Sequence, residues 1–110
     1  MMKERQKVIY ILGPIDGIEH YWEAFEAAED EISALGYIPL SPSRLPYNLS
    51  NDQRLRICFA MIDTADAVLL LRDWYRSTSS SLERDYCYFT DKIITTDLST
   101  IEKELGRAWN

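Results

Sequence analysis

Val8-Ile9-Tyr10-Ile11-Leu12-Gly13-Pro14-Ile15-Asp16-Gly17 carries an unbroken apolar run into a Gly-Pro-x-x-Gly turn. Four of the first five residues are β-branched or aromatic, and no charged or amide side chain interrupts them. A strand written this way is covered on both faces, as in a parallel sheet. Ligands of such sheets collect beyond the carboxyl ends of the strands, where Gly13 and Gly17 fall. The turn then opens into a helical pattern, so the first unit is strand, turn, helix.

Working outward, Tyr21, Phe25, Ala28, Ile32 and Leu35 recur at spacings of four and three, one apolar helix face that Gly36 stops. Tyr37 to Leu40 is a short second strand, which Pro39 confines to an edge or an interruption. Residues 41–51 form a Pro-, Ser- and Asn-rich loop. Ser50 to Gln53 matches a capping box for a second helix carrying Leu55, Phe59 and Ile62. Ala67 to Leu71 is a third buried strand, followed by a loop over Arg72 to Thr78. A third helix bears Leu82, Tyr86 and Phe89, and Lys92 to Thr96 is a fourth strand. Ser99-x-x-Glu102 caps a last helix running through Trp109. Strict alternation predicts an α/β three-layer sandwich with a four- or five-stranded parallel sheet, flavodoxin-like or Rossmannoid, in the order 2-1-3-4. The whole chain, residues 1–110, reads as one domain, without repeat or linker.

A formal charge of −6 argues against nucleic-acid polymers and anionic membranes as partners, and favours small molecules or proteins. Cys58 and Cys87 both fall in helical patterns, as free thiols of a reducing compartment would. No stretch has transmembrane length, and a cytoplasmic location is expected.

Several groups could carry chemistry. The turn Gly13-Pro14-Ile15-Asp16-Gly17 is either a tight connection, with Gly where φ must be positive, or a backbone cradle for sugar or phosphate at a helix N-terminus. It has neither dinucleotide-binding nor P-loop spacing. Glu83 closes Ser80-Ser81-Leu82-Glu83, a capping-box pattern. The same carboxylate, in the first turn after a parallel strand, also lies at the ligand edge, where the helix dipole favours a charged nucleophile. Arg44, Arg72 and Arg76 follow strands two and three and are either solvated or able to fork onto a phosphate. Trp74 and Tyr75 are either a lid or a stacking surface for a base. His20 falls in the first turn of helix one, with no acid or thiol at motif spacing. Asp63 and Asp66 flank the start of strand three, at the opposite edge. No metal-ligand spacing is present, and no cofactor is implied.

In their order and spacing these residues resemble the nucleoside 2-deoxyribosyltransferase-like superfamily, and most closely its small, largely uncharacterised members, from Val8 to about Ile94. The landmarks are Ile9 to Gly17, Gly36-Tyr37, Pro42 with Leu45-Pro46, Ala65-Asp66-Ala67, and Trp74-x-x-Ser77-x-x-x-x-x-Glu83. The resemblance implies a Rossmannoid sheet in a homodimer or larger homo-oligomer. It implies that Glu83 attacks the anomeric carbon of a 2-deoxyribonucleoside beside Tyr10, with transfer to a second base or to water. Ser77 falls where nucleotide hydrolases of the superfamily bind phosphate and the nucleoside transferases carry an aspartate. With the nearby arginines, this tilts the expected small-molecule substrate, a nucleoside or nucleotide, toward a nucleotide 5′-monophosphate. The Gly13–Gly17 turn, Ser77, Ser79, Arg72 and Arg76 would then hold sugar and phosphate, and Trp74 would stack on the base.

Three positions depart from the superfamily pattern. Ser79-Ser80 replaces Gly-Ala, Cys58 replaces an aspartate that helps protonate the leaving base, and Tyr21-Trp22 stands where relatives carry an asparagine. A thiol is a poor acid for that step. A non-catalytic nucleotide-binding module is therefore the alternative, and an interaction protein using Trp74, Tyr75 and Trp109 is a third.

Overall fold

The described residues of the computed structural model are 6–107. Four parallel strands, β1 (Val8–Leu12), β2 (Ile38–Leu40), β3 (Ala67–Leu70) and β4 (Ile94–Thr95), lie in the order β2-β1-β3-β4. Helices α1 (Tyr21–Ala34), α2 (Asn51–Thr64), α3 (Thr78–Phe89) and α4 (Leu98–Arg107) complete the alternation. The α/β sandwich and strand order match the expectation. Trp109 lies outside the described residues.

The two-residue period of the strands divides the core in two. Ile9, Ile11, Ala67 and Leu69 pack with Phe25, Ala28 and Ile32 of α1 and with Ile101 and Leu105 of α4. Tyr10, Leu12, Val68 and Leu70 face the other way, onto Cys58 and Ile62 of α2 and Cys87 of α3. Both faces of β1 and β3 are thus covered, which is why those strands carry no polar alternation. β2, with Pro39 opposite Ile9, is an edge strand as Pro requires. Asp66 fixes the amino edge: its amide donates to the Val8 carbonyl at 2.8 Å and its Oδ2 accepts from the Val8 amide at 2.8 Å.

Local details differ from expectation for physical reasons. Residues 13–20 separate β1 from α1, whose N-cap is His20 in the left-handed region (φ 56°) with no side-chain cap, so His20 precedes the helix and the glycine turn does not open it. Ser77, not Ser80, caps α3: its Oγ accepts from the Ser80 amide at 3.0 Å, which frees Glu83 from any capping role. At α4, Asp97 does the work expected of Ser99, accepting from the Ser99 amide and from the Ser99 and Thr100 hydroxyls. The fourth strand shrinks to Ile94–Thr95.

Gly17 has φ 75° and needs glycine for that reason, whereas the constraint at Gly13 is space. A Cβ there would lie 2.5 Å from Leu71 Cδ1 and 3.2 Å from Leu71 Cβ. Gly13→Ala is expected to cost about 1–3 kcal/mol by overpacking. Urea denaturation should show this loss partly relieved in Gly13→Ala/Leu71→Ala, which removes the nearest contact. Additive losses would contradict the assignment.

Candidate functional site

The site is built from the inner faces of α2 and α3, and these are not the apolar stripes that spacing suggests. In α2 the buried residues are Arg54, Cys58 and Ile62 rather than Leu55, Phe59 and Ile62, and in α3 they are Ser80, Glu83 and Cys87. Leu82 and Phe89 point outward, 45% and 88% exposed. Each helix is therefore turned by about one residue, bringing polar groups over the carboxyl ends of β1 and β3.

Two polar clusters sit one helical turn apart, since residues at i and i+4 share a helix face. In the deeper one the Tyr10 hydroxyl, fully buried on β1, donates to Glu83 Oε1 at 2.5 Å. The Cys58 thiol lies against both groups. In the outer one Arg54 Nη1 donates to Asp16 Oδ1 at 2.9 Å, and Arg54 Nη2 donates to the Tyr47 carbonyl at 2.9 Å. The Ser79 hydroxyl reaches Asp16 Oδ2 at 3.4 Å. With its amide nitrogen turned to that carboxylate, Asn51 donates to both oxygens at 3.2 and 3.3 Å. Arg54 and Cys58 are paired by spacing on α2 as Ser79 and Glu83 are on α3. A cleft of about 450 Å³ opens over the outer cluster, lined by residues 15–19, Tyr21, Tyr47 and Arg54.

Burial sets the protonation chemistry. The Glu83 carboxyl is pushed up to about 7, chiefly by desolvation and with a contribution from the Asp16 charge, against the lowering effects of the Tyr10 hydrogen bond and Arg54. Desolvation, then the Glu83 charge, pushes the Cys58 thiol to about 12 and the Tyr10 phenol well above its ordinary value. Near neutral pH Glu83 is poised between its two states, whereas Cys58 and Tyr10 keep their protons.

The remaining expected site residues are scattered. Pro14 and Arg76 line a cavity of about 210 Å³ that adjoins the cleft across Ile18, Glu19 and Tyr21; Asp73 lines it too and pairs with Arg76 at 3.6 Å. Arg72 lines a groove against α1 and Leu98, on the other side of the sheet. Arg44 forks onto Glu29 at 2.8 and 3.0 Å. The three arginines therefore do not converge. One face of Trp74 is covered by the Arg84 guanidinium, 4.5 Å from the ring centroid, and Tyr75 is exposed. The Ser77 hydroxyl is engaged with Ser80. Arg54, Asn51 and Tyr47 join the site without having been expected there. The signal for Arg54 is its place at the head of the stripe Arg54, Cys58, Ile62, whose steps of four put a lone cation on a buried helix face. Among the described residues no cluster of three or more His, Cys, Asp or Glu could hold a metal ion, and no helix is long and apolar enough to cross a membrane.

The sheet and its flanking helices have the nucleoside 2-deoxyribosyltransferase-like fold. It is similar to a 2-deoxyribosyltransferase from Leishmania mexicana (TM-score 0.63, 18% identity, covering 80% of this chain and 61% of that one). It is equally similar to the enzyme of that name from Bacillus psychrosaccharolyticus (TM-score 0.63, 21% identity, covering 79% of this chain and 69% of that one). At these identities the likeness is one of fold. By sequence the chain belongs to the family described as domain of unknown function DUF4406, whose model matches residues 7–96. No curated protein matches the chain significantly.

Because the Glu83 carboxyl rises from 4.5 to about 7 on folding, the native state binds the extra proton between those values and its stability falls as pH climbs through that window. Glu83→Gln removes the buried charge and keeps an acceptor for Tyr10. It should be more stable than the parent above pH 7, by on the order of 3 kcal/mol, with the difference vanishing toward pH 4. Melting curves across that range check it, and a pH-independent difference would contradict the assignment.

Proposed function

We propose that the protein cleaves or transfers at the N-glycosidic bond of a 2-deoxyribonucleoside or its nucleotide, with Glu83 as nucleophile. The observation that carries this is the 2.5 Å bond from the buried Tyr10 hydroxyl to Glu83 Oε1, which joins residues 73 positions apart at the carboxyl edge of the sheet. A nucleophilic carboxylate must be ionised, oriented and shielded from water. Tyr10 orients one oxygen and stabilises the anion, leaving the other for attack at C1′. That oxygen forms an ester bond to C1′ as the C1′–N bond breaks, and the electron pair of the broken bond passes to the departing base nitrogen, which takes up a proton. Water or a second base then attacks C1′ and returns Glu83 as carboxylate. Cys58, with its thiol held near 12, does not supply the proton, so it comes from water at the cleft. The fold shared with two 2-deoxyribosyltransferases supports the reading. A homo-oligomer and a cytoplasmic location belong to the same proposal.

Cys58 also favours a second reading, a module that binds a nucleoside or nucleotide without turning it over, since the leaving base lacks a side-chain acid. Incubation with a panel of 2′-deoxynucleosides and their 5′-monophosphates, followed by chromatography of free base, separates the two. Glycosidic activity predicts base release that Glu83→Gln lowers by about 10³-fold or more. It also predicts kcat/KM rising with pH through an apparent pKa near 7. Tyr10→Phe, which removes the hydrogen bond that lowers the Glu83 pKa, should move that rise to higher pH. Ligand-induced stabilisation without base release, retained in Glu83→Ala, would establish the binding module instead.

A further inference from the structure

We infer that Asp16 and Arg54 are the specificity-determining pair of the cleft, admitting a neutral 2′-deoxynucleoside and turning away its 5′-monophosphate. The inference rests on the glycosidic reading of the site and narrows its substrate class. Arg54 is only 8% exposed, and its two terminal nitrogens are committed to Asp16 and to the Tyr47 carbonyl. A buried guanidinium so held is neutralised and gives no fork to an incoming phosphate. Asp16 keeps 33% of its side chain exposed and lines the cleft. Its longest contact, from the Ser79 hydroxyl at 3.4 Å, faces replacement by a better donor, and a sugar hydroxyl entering the cleft is the donor that suits it.

A phosphate would meet the opposite conditions. The cleft lining sets Asp16 and Glu19 against the single guanidinium of Arg54, and Glu83 stands one helical turn beyond Ser79. A phosphate brings roughly −1.5 to −2 further charges into that field. Like charges brought together in a partly desolvated site repel strongly. None of the other arginines lines the cleft: Arg44 is on Glu29, Arg72 lines a different groove, and Arg76, in the adjoining cavity, is paired with Asp73. The Ser77 hydroxyl, the expected phosphate contact, is held by the Ser80 amide and hydroxyl.

Calorimetric titration of the intact protein with thymidine and 2′-deoxyadenosine, each against its 5′-monophosphate, tests the pair. The nucleosides should bind at least about tenfold tighter. Asp16→Asn, which leaves Arg54 uncompensated, should close or reverse that ratio by tightening the monophosphate. Arg54→Gln, which leaves Asp16 uncompensated, should widen it. Circular dichroism reads foldedness, and Arg54→Gln alone carries the test if Asp16→Asn does not fold. A parent protein that prefers the monophosphate, or a ratio unmoved in the folded variants, overturns the inference. If the monophosphate is preferred and its base is released, only this inference falls. If neither ligand binds and no base is released, the glycosidic reading falls with it.

Discussion

A carboxylate is costly to bury, and the neighbourhood of Glu83 is organised by that cost. Only a donor already fixed in the core could hold it, and Tyr10 is that donor because β1 is covered on both faces. The phenol sits in a strand that cannot move without disrupting both halves of the core. Glu83 in turn obliges α3 to present Ser80, Glu83 and Cys87 inward and to leave Leu82 and Phe89 in solvent. The same demand reaches α2, where Arg54 and Cys58 take places that Leu55 and Phe59 would fill in an ordinary amphipathic helix. The layer between these helices and the sheet is therefore half core and half polar network.

The network divides by depth. Tyr10, Cys58 and Glu83 form its dry end, where burial keeps the thiol and phenol protonated and leaves the carboxyl near neutrality. Asp16, Arg54, Asn51 and Ser79 form its wet end, open to the cleft. In the proposed reaction, charge chemistry is confined to one group at the dry end, and recognition is carried out at the wet end. Pre-arranged dipoles next to a water-poor reacting position are the usual means of stabilising developing charge.

The fold is legible in the chain because its signals are short-range: the apolar runs of β1 and β3, Pro39 on the edge strand, the Ser50–Gln53 capping box and the Gly36 stop all lie within a few residues of what they specify. Glu83 and Tyr10 are legible through their order in the chain and its resemblance to a known superfamily. The faces of α2 and α3 are not, because helical spacing ranks apolar residues and here the buried stripe is partly polar. At α3 and α4 several Ser and Asp residues compete for the cap within one turn, and only geometry decides between Ser77 and Ser80 or between Asp97 and Ser99. The arginines escape sequence reasoning for a related cause. Position in a loop gives the edge of the sheet but not the carboxylate that each side chain meets.

One tether gives the cleft an unequal pair of walls. The wall formed by residues 15–19 is pinned through a side chain, the Asp16 carboxylate that takes Arg54 Nη1 at 2.9 Å. The opposite wall is held at Tyr47 through its carbonyl, while its side chain is 82% exposed. A loop anchored by main chain rather than side chain is indifferent to which residue stands at the anchor. Position 47 can therefore vary in size and polarity without releasing Arg54, and it gives this scaffold a place to retune what enters the cleft at little expense to the fold.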